Sequence, residues 1–247
     1  MYDETIHLIC EPAQLRGRIC YAGAMAEASP RMTSRVDRRK AQTRGALIAA
    51  AQRFFAEQRA TEVSIQEITD AADVGFGSFY NHFQSKAELF DAAIEATFEA
   101  HGAWLDELLV DETDPAVVFA ASMRLTGRLQ KTQPQMAQVM MHSPGRLLAM
   151  EGGLTARCQR DIRAASAAGR FAVHDVEVAF ACAGGALVGV LHLLASNPRV
   201  NVEKKTDEMV RNVLRMFGMA DDEAAAIVKR PLPKRRARLP LRWTDLH

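Results

Sequence analysis

Apolar positions first settle into a helical period between Asp37 and Gln58. Leu47, Ala51 and Phe54 share one face, and Ile48 and Phe55 widen it. The first half of that stretch is basic and polar. The pattern therefore buries its C-terminal half and leaves its start outside, although taken alone it also suits an ordinary amphipathic surface helix. Ser64 to Phe83 then reads as two very short helices joined by a tight turn. Ser64 and Glu67 have capping-box spacing, and Ile65, Ile68 and Ala72 fall at i, i+3 and i+7. Asp73-Val74-Gly75 breaks the period, and Gly75 is the residue expected to take the turn's backbone angles. Phe76 to His82 restarts as a helix too short and too polar to be a core element. A short helix held at an angle on another short helix is the plan of a helix-turn-helix DNA reader.

Longer periods follow. Ser85 and Glu88 form a second capping pair. Lys86, at the first helical position, opposes the helix dipole and so suits a nearby anion such as phosphate. This helix runs past Leu89, Ala93, Ile94 and Phe98 to Leu105-Leu108, long enough to link two domains. Pro115 starts a helix through Val118, Phe119, Ser122, Leu125 and Leu129, and Pro134 starts a Met-rich one. Ser143-Pro144-Gly145 is a turn. A further helix spans Arg146 to Ala168, weakened at Gly152-Gly153 and ended by Gly169, with Phe171 and Val173 over the corner. Val178 to Ser196 carries no Asp, Glu, Lys or Arg and approaches the length of a membrane span. Its Ala and Gly content and the lack of flanking aromatic belts argue against that reading.

Within that segment Ala181, Gly185 and Gly189 repeat at i+4, a stripe that lets another helix approach closely. Its partner is the helix Val202 to Phe217, with Met209, Val213, Met216 and Phe217 apolar. Two such helices per chain can form a four-helix dimer interface through Ala181, Gly185, Gly189, Met209 and Val213. An internal core helix is the other reading. Asp221 to Val228 forms a last short helix. The expected fold is all-α. It comprises a poorly ordered extension (1–33), a three-helix helix-turn-helix domain (34–84), a larger helical ligand-binding and dimerisation bundle (85–230) and a basic tail (231–247).

Composition supports this picture and limits it. Of 247 residues 48% are apolar, enough for a sizeable core, and aromatics are 6% with few β-branched runs. The net charge of +1 excludes blanket affinity for nucleic acid, so the location of charge matters. Residues 31–44 hold six basic residues against the single acid Asp37, and residues 229–242 hold seven and no acid. Such blocks are solvated arms that often touch phosphate. Cys10, Cys20, Cys158 and Cys182 lack zinc-ligand or disulfide-framework spacing. The N-terminus begins with the acids Asp3 and Glu4 rather than a signal-peptide layout, so a reducing cytoplasm is expected. No phosphate loop, metal set or catalytic triad is evident, so neither an enzyme nor a cofactor is expected.

The middle helices offer Trp104, Phe119, Met123, Met136, Met140 and Phe171 as walls of an apolar effector cavity. Arg124 and His142 would be its polar anchors. The same Met and aromatic stripe equally suits ordinary core.

One set of residues carries a family resemblance. It starts with Thr43-Arg44, Leu47-Ile48, Ala50-Ala51, Phe54-Phe55 and Ser64-Ile65-x-x-Ile68. Ala71-Ala72-x-Val74, Gly77-x-Phe79-Tyr80-x-His82-Phe83 and Ser85-Lys86-x-x-Leu89 follow in register. Over residues 40–90 the chain resembles the tetracycline-repressor-like (TetR) transcriptional regulators. Three positions depart from the family pattern: Asp73 where Gly is usual, Gly75 where Ser or a similar cap is frequent, and Arg59 where Gly is common.

The resemblance implies a homodimer that binds a palindromic double-stranded DNA operator, usually as a repressor released by a small molecule. A constitutive DNA-binding or architectural protein is the alternative. The resemblance also implies that Thr43, Tyr80, His82 and Lys86 hydrogen-bond the DNA backbone, contacts that set register without reading sequence. Arg44 lies in the basic block. Gly75, Phe76, Gly77, Ser78 and Asn81 lie where side chains or a close backbone face the major groove, with Asn81 suited to adenine. Phe79 and Phe83 are expected inside, a base contact by Phe79 being the lesser reading. The effector is expected to be small and apolar or amphipathic, and no membrane partner is expected.

Overall fold

A computed structural model describes residues 34–143, 145 and 152–233. The expected extension before residue 34, the tail after residue 233 and the first turns of the helix expected from Arg146 lie outside the described residues. Every described element is helical.

Helix α1 (Arg35–Ala56) starts two residues earlier than the apolar period suggests. Ser34 caps it: the Asp37 backbone N–H donates to the Ser34 hydroxyl at 3.0 Å, and the Asp37 carboxylate accepts from the Ser34 N–H at 3.1 Å. Only its second half packs, through Leu47, Ala50 and Ala51. The chain leaves α1 through Gln58, which adopts a left-handed φ of 59° beside the departure at Arg59.

Helix α2 (Ile65–Ala71) carries the expected capping box, and hydrogen bonds from the Ser64 backbone and hydroxyl hold the Glu67 carboxyl below its ordinary range. The turn that follows differs from expectation. Asp73, not Gly75, takes the left-handed angle (φ 52°), while Gly75 sits in ordinary extended backbone at φ −64°. Asp is among the few non-Gly residues that enter this region readily. Helix α3 (Phe76–Phe79) is a single turn. His82 and Phe83 extend it by donating to the Phe79 carbonyl, so the expected helix to His82 is present as consecutive turns.

Helix α4 (Lys86–Leu108) joins two hydrophobic cores. Its first turns supply Leu89, Phe90 and Ala93 to the reader core of Leu47, Ile68, Phe79 and Phe83. Its later turns supply Ile94 and Phe98 to the larger bundle core. Gln52 of α1, buried, ties the junction by donating to Thr97 Oγ1 at 3.0 Å.

The bundle continues with α5 (Pro115–Gly127), α6 (Leu129–Thr132) and α7 (Pro134–His142), the first and third opening on proline. Helices α8 (Gly153–Ala167), α9 (Val176–Ser196), α10 (Val202–Met216) and α11 (Asp221–Lys229) complete it. Arg170, after α8, pairs with Asp114 at the head of α5 and with Glu223 of α11, clasping three elements. Helix α9 has a mean hydropathy of 2.1 over its best window, long and apolar enough by composition to cross a membrane. In the fold, one face of it packs in the bundle core through Phe180, Ala183, Leu187 and Leu191.

The five residues expected at a dimer interface divide. Ala181, Gly185 and Gly189 are exposed on α9, and a side chain added at either glycine would meet open space. Met209 and Val213 are instead buried in the chain's own core. Helix α10 is strongly amphipathic and turns Thr206, Met209, Val210 and Val213 inward, towards α5 and α9. Met216, 52% exposed, is the apolar residue on its outer face.

Candidate nucleic-acid interface and internal cavity

The reader surface follows from how four aromatic residues divide around α3. Phe79 and Phe83 are 0% and 2% exposed and close the reader core. Phe76 and Tyr80, one helical turn apart, are 46% and 56% exposed on the opposite side. Tyr80 is edge-on both to Phe79 of the buried pair, at 5.2 Å between ring centroids, and to Phe76 beside it, at 5.9 Å. Gly75, Gly77 and Asn81 are exposed beside Phe76, and Ser78 is half-buried.

A cationic flank lies next to this surface. The Arg44 guanidinium sits 5.1 Å over the Phe83 ring, and Thr43 is half-buried beside it. His82 is held more acidic than an ordinary histidine, first by burial and then by the positive charges of Lys40 and Arg44. Three basic groups from α1 and the α3–α4 turn thus share one place. Lys40 lies in the basic block 31–44 expected to touch phosphate, and its i, i+4 spacing to Arg44 puts both on one helical face. Lys86 departs from expectation. Its Nζ donates to the carbonyls of Thr61 and Val63, both at 2.9 Å, because the turn after Arg59 brings those oxygens to the start of α4. Its ammonium ties a loop to the helix rather than standing open to an anion.

The second feature is a narrow cavity of ≈ 40 Å³ between α4, α5, α8 and α9. Leu105, Phe119, Met123, Leu154, Phe180 and Leu187 make its apolar wall. Asp106, Arg157 and Asp161 make a polar end. Arg157 Nε donates to Asp106 Oδ2 at 2.6 Å, and its two terminal nitrogens donate to the Glu99 carboxylate at 2.7 and 2.8 Å. Arg160 bridges Asp106 and Asp161, at 2.8 Å to each. Gly102 permits this packing: a Cβ there would lie 2.8 Å from Arg157 Cδ, so the guanidinium arm crosses the α4 backbone.

Charge at the cavity is divided unevenly. Burial pushes Asp106 upward, but hydrogen bonds from Arg160 and Arg157 outweigh it and leave the carboxyl below its ordinary range. Burial dominates at Asp161 and raises it despite Arg160. Burial, with Asp161 adding, pushes the Cys158 thiol up to about 12, so it is neutral and a poor nucleophile. Thr126, also in the wall, spends its hydroxyl proton on the Ser122 carbonyl at 2.8 Å. It therefore accepts from His101 Nε2 at 3.0 Å, which fixes the imidazole tautomer. Burial pushes His101 down to about 4, and its ring stacks on Trp104 at 5.6 Å.

Of the eight residues expected to line a cavity, Phe119 and Met123 line this one, and Arg124 lines a separate pocket against Ile227 and Arg230. Trp104 is buried against His101 instead. Met136 and Met140 pack in the bundle core. Phe171 forms an aromatic trio with Phe119 and Phe217, at centroid distances of 5.2 to 5.5 Å. Arg124 is engaged elsewhere, donating to Asp207 at 2.8 Å and to the Arg230 carbonyl at 2.8 Å. His142 is exposed, with Nδ1 2.9 Å from the Gln138 carbonyl. The polar end was missed because its members lie some fifty positions apart. The available signal was the placement of Arg157, Arg160 and Asp161 on one helical face.

A helix-turn-helix reader carried on a helical bundle with an internal cavity is the build of a transcriptional regulator. Residues 47–93 match the family "Bacterial regulatory proteins, tetR family", and residues 114–230 match the "Tetracyclin repressor-like, C-terminal domain". The chain belongs to the tetracycline-repressor-like (TetR) family of DNA-binding transcriptional regulators. It is similar to RolR, whose crystal structure is known in complex with the ligand resorcinol. Identity is 31%, over 80% of this chain and 98% of that one, with a TM-score of 0.59. SmeT, the repressor of the Stenotrophomonas maltophilia multidrug efflux pump SmeDEF, shares the fold at 20% identity. That likeness covers 71% of this chain and 92% of the SmeT chain, with a TM-score of 0.56. The transcriptional regulator TtgR of Pseudomonas putida is 33% identical over 70 residues, 28% of this chain. The chain spans about a third of the length of the curated relatives it matches, 33% in each case.

Proposed function

We propose that this chain is a ligand-responsive repressor that binds a palindromic operator as a homodimer and leaves it when a small hydroxylated aromatic molecule enters the cavity. The reader comprises residues 34–84 and uses the exposed Phe76–Asn81 surface with the Lys40, Arg44 and His82 flank. The observation that carries this reading is the double role of α4. Leu89, Phe90 and Ala93 of that helix belong to the reader core, while Leu105 and Asp106 line the cavity. Gln52 and Thr97 couple the reader's first helix to the stretch between.

The cavity's chemistry indicates the effector class. An apolar wall takes an aromatic ring, and Asp106, Arg157, Asp161 and Thr126 offer acceptors and donors for ring hydroxyls. The resorcinol complex of RolR supports that class. The volume of ≈ 40 Å³ is small beside the roughly 150 Å³ at which an apolar cavity admits benzene. Entry of a ring must therefore part α4 from α8, against the Arg157 clamp, and displacement of α4 moves the reader. The presence of a cavity favours this reading over a constitutive architectural protein. For the dimer, the exposed stripe Ala181, Gly185 and Gly189 on α9, with the outer face of α10, offers close helix approach.

The test uses the full chain, resorcinol as the probe and duplexes from the promoter next to its own gene. Calorimetry is expected to give saturable resorcinol binding. Fluorescence anisotropy is expected to show operator affinity falling at least about tenfold, a coupling of roughly 1.4 kcal/mol. Saturable resorcinol binding with unchanged operator affinity would overturn the release mechanism. Absence of saturable resorcinol binding would overturn the effector class.

A further inference from the structure

The segment presented to the groove, Gly75-Phe-Gly-Ser-Phe-Tyr-Asn-His-Phe83, contains no Lys, Arg, Asp or Glu. That limits what it can read. Guanine is recognised most often by Arg or Lys through its O6 and N7, and cytosine by a carboxylate accepting from N4. Asp73, in the turn before the segment, is exposed, whereas the basic side chains bordering the segment are engaged elsewhere. Lys86 holds the Thr61 and Val63 carbonyls, Arg53 donates to the Ala71 carbonyl at 2.7 Å, and Arg59 pairs with Glu67 at 3.1 Å. On α2, the Gln66 amide donates to Asp70 Oδ1 at 2.7 Å, pairing these two side chains with each other. Arg44 and Lys40 rise from α1, on the flank where a DNA backbone would pass.

Beside the Ser78 and Tyr80 hydroxyls, the tip presents an apolar ring and an amide. Phe76 exposes 46% of its surface, braced edge-on by Tyr80, and a Cβ added at neighbouring Gly77 would meet nothing within 4 Å. No side chain at Gly75 or Gly77 shields the ring, so it can approach a base edge closely. In the major groove the one apolar feature of a base pair is the thymine methyl, and an Asn side chain pairs bidentately with adenine N6 and N7.

We infer that this reader takes operator half-sites whose directly read steps are A·T pairs, with Phe76 packed on a thymine methyl and Asn81 paired with an adenine. The inference rests on the operator-binding role proposed above and adds the base class of the operator together with the residues that select it.

The experiment selects duplexes bound by the full chain from a random pool, then replaces thymines in the selected half-site one at a time with deoxyuridine. That replacement removes a methyl and nothing else. One thymine per half-site is expected to be sensitive, with affinity falling about fourfold, the worth of one buried carbon. In F76A the thymine and deoxyuridine duplexes are expected to bind equally. The exposed position of Phe76 leaves the Phe79–Phe83 core untouched, and the deoxyuridine comparison needs no variant. In N81A, discrimination against G·C at one step is expected to fall at least about fivefold. Half-sites with invariant G·C at the protected steps would overturn the inference while leaving operator binding intact. So would a thymine-to-deoxyuridine ratio that survives in F76A. A pool that shows no enrichment would overturn operator binding itself, and this inference with it.

Discussion

The reader and the bundle both bury helices against helices, but they rely on different means. The reader core is small, built on Leu47, Ile68, Phe79, Phe83 and Leu89, and its helices α2 and α3 are too short to be stable alone. It is held by local devices: the Ser34–Asp37 and Ser64–Glu67 capping boxes, the Ser85 cap and the Arg53 bond to the end of α2. The bundle has long helices and a large core, and it places polar groups inside. His101, Arg124, Asp161 and Thr206 are all buried there. The difference separates two tasks. On the proposed reading, a reader needs a fixed surface of few residues, whereas a sensor needs a pocket with internal chemistry that can be prised open.

Four measurements test that contrast. The largest effect is expected from Phe79→Ala and Phe119→Ala, one in each core, each costing about 3–5 kcal/mol in denaturant unfolding. Phe79→Ala should abolish operator binding yet leave resorcinol binding within a few-fold. An equal loss of both in that variant would mean that the two cores unfold as one unit.

Acid should strike the bundle through His101. Its folded value is about 4 against an ordinary 6.5, so both states are neutral above pH 6.5 and the stability is fully present there. As pH falls from 6.5 towards 4, the unfolded chain takes up a proton that the folded chain refuses. Stability is then lost by up to about 3 kcal/mol. Denaturation midpoints across that range should flatten in His101→Phe. An unchanged slope would remove His101 from the account.

A smaller effect, about 1.5–3 kcal/mol, is expected in resorcinol affinity for Asp106→Asn, because a charge-assisted acceptor is lost. Operator affinity without ligand should hardly change. Calorimetry on the variant checks the first expectation and anisotropy the second. The smallest is expected on the flank. Arg44→Ala should weaken operator and random DNA alike and lower the slope of log affinity against log salt by about one. Loss at a single base position instead would make Arg44 a base reader.

The legibility of the two regions differs in the same way. Ser64, Glu67, Ser85 and the Leu47–Phe55 face act over three to eight positions, so their spacing alone revealed the reader. The turn departs from its pattern because the left-handed angle falls on Asp73, which tolerates it, and not on the glycine at 75. In the bundle, Met136, Met140 and Trp104 have the composition of a pocket wall, but Met136 and Met140 pack in the core and Trp104 stacks on His101 of its own helix. Asp106, Arg157 and Asp161 have the composition of a solvated surface but meet at the cavity.

By itself the amino-acid sequence determined the helical class, the element order, the caps and the helix-turn-helix, because each follows from hydrogen bonds and periodicity within a few turns. Tertiary structure alone decided which side of α10 lies inward, that Arg124 pairs with Asp207, and that α4 and α8 close a cavity with a charged end. Those outcomes depend on how helices rotate about their axes when they pack. That rotation is set by the sum of contacts across the whole core and by the cost of leaving a buried charge unpaired.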